Sequence, residues 1–367
     1  MKILITGDFF VSQPEDIQLD SSIRKCFASC DYRIVNYEGP VADNYRTLPI
    51  KSGPRLMQPA STRSILNELK IDMLTLANNH LMDQGVDGYR KTVSTLKDFE
   101  LLGVGTWTDA YRIKYIEKDG VKVALLNLCE FQFGMLYDKW TQSDVTIGCA
   151  WVNHALANKL IDEGKKHADY LVAIIHAGVE MIDVPLPEWR DRYREMIDMG
   201  CDAVIAHHPH VIQGYEIYNG KPIMYSLGNF CFSGGVNALS GDWNIGALAL
   251  LSIEGDGLTL TLEGCQLKDN VLSVVDKDIF ETKINHLCQL LKEGTYMNKV
   301  NESCQRLLKD YLNLFAMGGV FSPKVLTTKN IARILLHKYG GEHLLNNIQC
   351  ESHRWCISRA LRLELEK

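Results

Sequence analysis

The amino-acid sequence predicts an α/β fold, with mixed β-sheets flanked by helices over residues 1–278 and a helical C-terminal extension over residues 279–367. Three observations carry that prediction. Short, continuously apolar runs alternate with longer amphipathic stretches up to about residue 230. Residues able to do chemistry gather at the ends of those runs. From about residue 280 the pattern turns to helical periodicity throughout. Runs that are apolar at every position suit strands buried on both faces, as happens when helices cover a sheet.

The predicted strands are "KILIT" (2–6), "YRIVN" (32–36), "DMLTLA" (72–77), "VKVALLNL" (121–128), "YLVAII" (170–175), "DAVIA" (202–206) and "PIMYSL" (222–227). Helical patterns lie between several of them, in "STRSILNELK" (61–70), "GVDGYRKTVSTLKDFE" (85–100) and "RDRYREMIDMG" (190–200). The stretch 245–267, "IGALALLSIEGDGLTLTLEGCQL", reads as two strands joined by a Gly-rich hairpin, an antiparallel addition to the sheet. Further on, "KINHLCQLLKEG" (283–294), "NKVNESCQRLLKDYLNLFAMGG" (298–319), "TKNIARILLHKYGG" (328–341) and "HRWCISRALRLELE" (353–366) have helical spacing, the first three closing in Gly.

Composition narrows the class. With 46% apolar and 23% charged residues the chain is an ordinary globular one. A net charge of −6 argues against a dedicated nucleic-acid binder, which needs basic contacts to phosphate. The C-terminal helices carry a basic excess, read either as ordinary surface lysines or as a face for an acidic partner. The opening "MKILITGD" is too short in apolar length for a signal peptide, and no stretch approaches the roughly 20 apolar residues of a membrane span. Eleven scattered cysteines, odd in number and several inside core-like runs, fit reduced buried thiols and hence a cytoplasmic protein.

Polar residues mark one edge. "KILIT" runs into Gly7-Asp8, "RIV" into Asn36-Tyr37-Glu38, "MLTLA" into Asn78-Asn79-His80, "LVAII" into His176, and "DAVIA" into His207, His208 and His210. If those strands are co-oriented, carboxylates, amides and imidazoles meet at the carboxyl edge, where open α/β sheets form ligand sites. Such a set suits borderline divalent metals: manganese, zinc or iron. Taken singly, Asp8 also reads as a helix cap, Glu38 as a lysine partner and His176 as a core histidine. Their coincidence favours the metal.

The motif series "GD", "NYEGP", "LANNHLMDQG", "HAGVE", "AHHPHVIQG" and "YSLGNF" resembles the CapA family, named for poly-γ-glutamate capsule synthesis, a branch of the calcineurin-like metallophosphoesterases. The resemblance covers about residues 1–235 and implies a calcineurin-like sandwich. Position by position it implies Asp8, Glu38, Asn79, His176, His208 and His210 as metal ligands, with His80 as the acid at the leaving group. His207 stands where the superfamily has glycine and is expected behind the ligands or in a structural role. Many metallophosphatases carry Asp-x-His on the first strand, whereas this chain has Asp8-Phe9-Phe10. One position thus loses an imidazole, so one tight and one weaker metal site are expected.

Paired ions of this kind clamp an oxyanion and activate water. Asp83, three residues beyond His80, is expected to orient that imidazole, or alternatively to cap the following helix. Lys51 and Arg55 read either as a cationic pair holding an anionic substrate or as a solvated loop. Glu180, with Pro185, Pro187 and Trp189, forms either a pocket wall or ordinary loop packing, and Asn229 is expected to hydrogen-bond behind the ligands. The expected function is a metal-dependent hydrolase acting on a small or polymer-derived anionic phosphoester, or on an amide such as a γ-glutamyl bond. The alternative is an accessory, non-catalytic component of capsule production. The C-terminal helices are expected to cover the site or to form a homo-oligomer.

Overall fold

The computed structural model describes residues 1–44, 51, 53–136, 146–233, 241–255, 257–317 and 341–366. Among these, nine strands form a mixed sheet. Its order runs Gln18–Leu19, Val271–Val274, Gly257–Lys268, Ile245–Glu254, Lys2–Val11, Tyr32–Tyr37, Met73–Thr75 and Glu100–Leu102, with Asn229–Ser233 pairing parallel to Lys2–Val11. A second sheet of six strands runs Tyr215–Tyr218, Lys221–Met224, Ala203–His207, Tyr170–His176, Val121–Cys129 and Lys114–Lys118. The strands that carry the site are parallel within each sheet.

Side-chain alternation explains the layering. Ile3 and Ile5 pack with Val172, Ile174 and Ile205 between the sheets, whereas Leu4 faces outward toward Ile23 and Phe27 of the Ser21–Ala28 helix. Leu171, Ala173 and Ile175 of the second sheet face the opposite way, against the helices Ala155–His167 and Pro187–Asp198. The result is two sheets face to face with helices on both outer surfaces, because each strand is apolar on both sides. The 245–267 segment does form an antiparallel strand pair.

The C-terminal helices are packed into this body. Phe280, Ile284 and Leu287 of the helix Lys277–Leu290 join the core between the sheets. Cys304 and Leu308 of Tyr296–Met317, with Cys356, Ile357 and Ala360 of Glu351–Leu365, share a core with Trp189 and Tyr193. The helix expected over 328–341 lies almost wholly outside the described residues. No described helix is long and apolar enough to cross a membrane. All eleven cysteines are free thiols, and all but Cys288 are buried.

Two local expectations need correction. The first strand continues to Val11, so Asp8 sits inside it rather than at its end, beside an irregularity in pairing on either side. Gly7 permits this: a Cβ there would stand 2.0 Å from the carbonyl oxygen of Gly228. The helix expected over 85–100 stops at Thr95, because Glu100–Leu102 is drawn into parallel pairing with Met73–Thr75.

Candidate metal centre

Register brings the polar residues together. Asp8 stands beside Asn36 on one neighbouring strand and Asn229 on the other, while His176 stands between Cys129 and His207 in the second sheet. The carboxyl edges of both sheets therefore open onto one site, as sheet-edge sites do. The segment "YSLGNF" crosses from the second sheet to the first, and the Gly228 carbonyl accepts the Asp8 N–H at 3.0 Å.

Distances define the cluster. His210 Nδ1 lies 3.4 Å from Asp8 Oδ2, and its Nε2 lies 3.6 Å from Glu38 Oε1. His176 Nε2 is 3.0 Å from Asn79 Oδ1 and 3.1 Å from His208 Nδ1. Ligand atoms of Asp8, Glu38 and His210 all fall within 4.8 Å of one another, as do those of Glu180, His208 and His210. All six residues expected as ligands are thus gathered, and solvent-accessible Glu180 joins them.

The surroundings suit a divalent cation. Glu38 is fully buried, yet neither of its carboxylate oxygens has a hydrogen-bond partner among the described residues. A buried carboxyl in that condition is expensive unless a cation completes it. Burial, then the Asp8 charge, pushes its pKa well above the ordinary carboxyl range. Burial also pushes His208 down to about 3, and burial with the neighbouring imidazoles takes His176 well below the usual range. Neutral imidazoles are the form that ligates. His208 and His210 both hold positive φ, 97° and 58°, a strained backbone typical of sites fixed by their surroundings.

Outer partners fix the side chains of the cluster. Asn36 donates to Asp8 Oδ1 at 2.6 Å. Asn229 Oδ1 lies 2.9 Å from His210 Nδ1, and its amide nitrogen donates to the Trp243 carbonyl. His207 turns away from the cluster, its Nε2 2.8 Å from the Thr6 carbonyl, and so ties one sheet to the other. The Phe10 ring packs on Phe232, with ring centroids 5.0 Å apart.

His80 and Asp83 form a separate pair at the rim. His80 Nδ1 is 2.6 Å from Asp83 Oδ2, which also accepts the Leu56 N–H at 2.7 Å. Lys51 pairs with the other Asp83 oxygen, and His80 Nε2 points toward Glu38 Oε1, 3.8 Å away. Asp83 does not cap the following helix, whose preceding residue is Gln84. Burial opposes ionisation of Asp83, but Lys51 and His80 outweigh it and hold its pKa below the usual value. The Arg55 guanidinium donates to the Lys51 carbonyl, which braces that loop. Trp189 is not a pocket wall: it lies in the core and Pro187 opens its helix.

A cavity of about 290 Å³ opens beside these groups, lined among others by Lys51, Asn79, His80, Phe133, Glu180 and His353. Gln132, Tyr311, Asn347 and His353 were not singled out from the sequence. The last three come from helices distant in the chain, with no local pattern to flag them.

Residues 12–234 match the family described as bacterial capsule synthesis protein PGA_cap. Over 217 residues the chain is 32% identical to the PGA biosynthesis protein CapA of Bacillus subtilis, covering 58% of this chain and 56% of that one. Against the capsule biosynthesis protein CapA of Bacillus anthracis, identity is 31% over 211 residues, covering 56% and 51%. The match thus spans about half the length of those relatives. A probable polyglutamine synthesis accessory protein of Mycobacterium tuberculosis is 24% identical over 174 residues, 45% of this chain and 46% of that one. Among solved structures, a putative 5'-nucleotidase from Staphylococcus aureus in complex with alpha-ketoglutarate overlaps 79% of this chain and 57% of its own, with 17% identity and a TM-score of 0.45. The motifs that gather the acids, amides and imidazoles fall almost wholly within the matched stretch, and on that match the chain belongs to the bacterial capsule synthesis protein (PGA_cap) family.

Proposed function

We propose that the protein is a metal-dependent hydrolase whose substrate is an anionic phosphoester or a γ-glutamyl-type amide. The observation that carries this reading is the buried, unpartnered Glu38 carboxylate at the meeting point of Asp8, His210 and His80. Asp8, Glu38 and His210 would hold one divalent ion; Glu38, Asn79, His176 and His208 would hold the other. Manganese, zinc and iron all suit these donors, and the position left with a single imidazole, His210, is expected to bind more weakly. Such ions supply Lewis acidity to an oxyanion and activate a water.

The chain's own residues supply the rest. Asp83 anchors His80 through Nδ1 and leaves Nε2 facing the cluster. Burial, then the Lys51 charge, lowers the His80 pKa, so Nε2 is an acceptor in the resting site. The proton that the attacking water gives up would be taken there and passed to the leaving oxygen or nitrogen. Lys51, which lines the cavity, keeps Asp83 ionised.

The accessory reading draws on the name of the Mycobacterium tuberculosis relative. Hydrolysis of aryl phosphomonoesters, aryl phosphodiesters and γ-glutamyl peptides by manganese-loaded protein separates the two. Turnover of one of these classes that falls at least a hundredfold in His80→Ala supports the enzyme. Inertness toward all of them, with wild type and His80→Ala alike, supports the accessory role.

A further inference from the structure

We propose that Glu130 is a positioning residue for His208, and that the helix Glu351–Leu365 holds Glu130 in place. A segment beyond the matched residues 12–234 would then be a working part of the metal centre. The inference rests on the metal-centre reading above.

The surroundings of His208 select one tautomer. Its Nδ1 lies 3.1 Å from His176 Nε2, which in turn lies 3.0 Å from Asn79 Oδ1, so donor atoms converge on that side of the ring. For Nδ1 to offer its lone pair, Nε2 must carry the proton and needs an acceptor. Two polar atoms face Nε2: Gln132 Nε2 at 3.2 Å and Glu130 Oε1 at 3.5 Å. An amide nitrogen cannot accept, whereas a carboxylate can. Gln132 instead donates to the same Glu130 oxygen at 2.7 Å and fixes its direction.

The second Glu130 oxygen is held by the C-terminal helix. It accepts the backbone N–H of Ser352 at 3.2 Å and also the Ser352 hydroxyl. Ser352 Oγ accepts from Trp189 Nε1 at 2.7 Å. The preceding residue, Glu351, accepts from Phe131 N and Trp151 Nε1, both at 3.1 Å, and from Asn153 Nδ2 at 2.7 Å. Two successive helix residues thus grip the end of the Val121–Cys129 strand where Glu130 leaves it. Glu130 is 1% exposed, and no Lys or Arg pairs with it among the described residues. Burying a carboxylate this way is costly, and the imidazole that faces it, His208, is a member of the metal cluster.

The test is manganese titration of the full chain by calorimetry, with far-UV circular dichroism as the folding control. Glu130→Gln keeps the shape and an acceptor for Ser352 but weakens the acceptor for His208. It is expected to lower manganese affinity about 10–100-fold. Ser352→Ala is expected to lower it in the same direction by several-fold. In the cobalt(II)-loaded chain, Glu130→Gln is expected to shift the visible absorption bands, which report the ligand field around the ion and not the stability of the fold. Folded Glu130→Gln with affinity within twofold of wild type and unchanged cobalt bands overturns the proposal. If Glu130→Gln does not fold, Ser352→Ala decides by the same affinity criterion. Wild-type protein that takes up no manganese overturns the metal-centre reading itself, and this inference with it.

Discussion

Replacing Glu38 by Gln separates the demands of folding from those of metal binding. In the metal-free chain Glu38 is a fully buried carboxyl without a hydrogen-bond partner among the described residues, pushed up in pKa by burial and by the Asp8 charge. The Gln amide removes the like-charge contact and gains donors toward His210 Nε2 and His80 Nε2, which stand 3.6 and 3.8 Å from Glu38 Oε1. Relieving one unsatisfied buried polar group stabilises by about 1–3 kcal/mol. In a chain of 367 residues that corresponds to roughly 1–4 °C in Tm. A carboxyl with a raised folded pKa lowers stability as pH climbs above its unfolded value of about 4.3. The gain from Glu38→Gln should therefore be larger at pH 8 than at pH 5. With manganese at about a hundred times its Kd, wild type should gain about 2.7 kcal/mol and the variant little. Scanning calorimetry with chelator and with manganese reads both effects. A variant that melts below wild type in chelator, or that keeps the full manganese shift, refutes the reasoning.

Other perturbations follow from the same contacts. Asp83→Asn removes the negative charge and one of the two acceptor oxygens that serve His80 Nδ1 and Lys51, so turnover of the responsive substrate should fall about a hundredfold. Manganese affinity by calorimetry should stay within threefold; a parallel collapse of both would point to unfolding of the rim. Burial opposes ionisation of Glu216, yet hydrogen bonds from Arg194, Arg190 and Tyr225 hold its pKa at about 2. Its contribution is complete above the unfolded value of about 4.3 and is lost as pH falls toward 2. Glu216→Gln should lower neutral-pH stability by about 2 kcal/mol in urea titration and flatten that acid limb, whereas an unchanged limb would remove Glu216 as its source. Gly7→Ala forces a Cβ to within 2.0 Å of the Gly228 oxygen and should destabilise by about 3 kcal/mol or more, measured the same way. A loss under about 1 kcal/mol would mean the strands part easily there.

Much of the cluster was legible because most of the residues expected as ligands follow a run whose apolar character identifies a buried strand. Glu38, Asn79, His176 and His208 follow such runs, and parallel pairing carries them to one edge. Asp8 was found for the same reason, although a pairing irregularity rather than a strand end places it. Glu130 obeys the rule too, directly after "VKVALLNLC", but its acidic side chain has no neighbouring motif to mark it. Ser352, Asn347 and His353 reach the region by tertiary packing alone, from helices whose periodicity encodes only their apolar faces. The strand Lys114–Lys118 escaped notice because it is a half-exposed edge with too few apolar positions. The helix overrun past Thr95 shows β-pairing overriding a local amphipathic pattern.

The central claim is that Asp8, Glu38, Asn79, His176, His208 and His210 share divalent ions. Anomalous diffraction from manganese-soaked crystals tests it most directly. Two peaks flanking the Glu38 carboxylate, the one beside Asn79, His176 and His208 at fuller occupancy, are the predicted result. Manganese found only elsewhere on the molecule, with the Glu38 oxygens still lacking any partner, would contradict it.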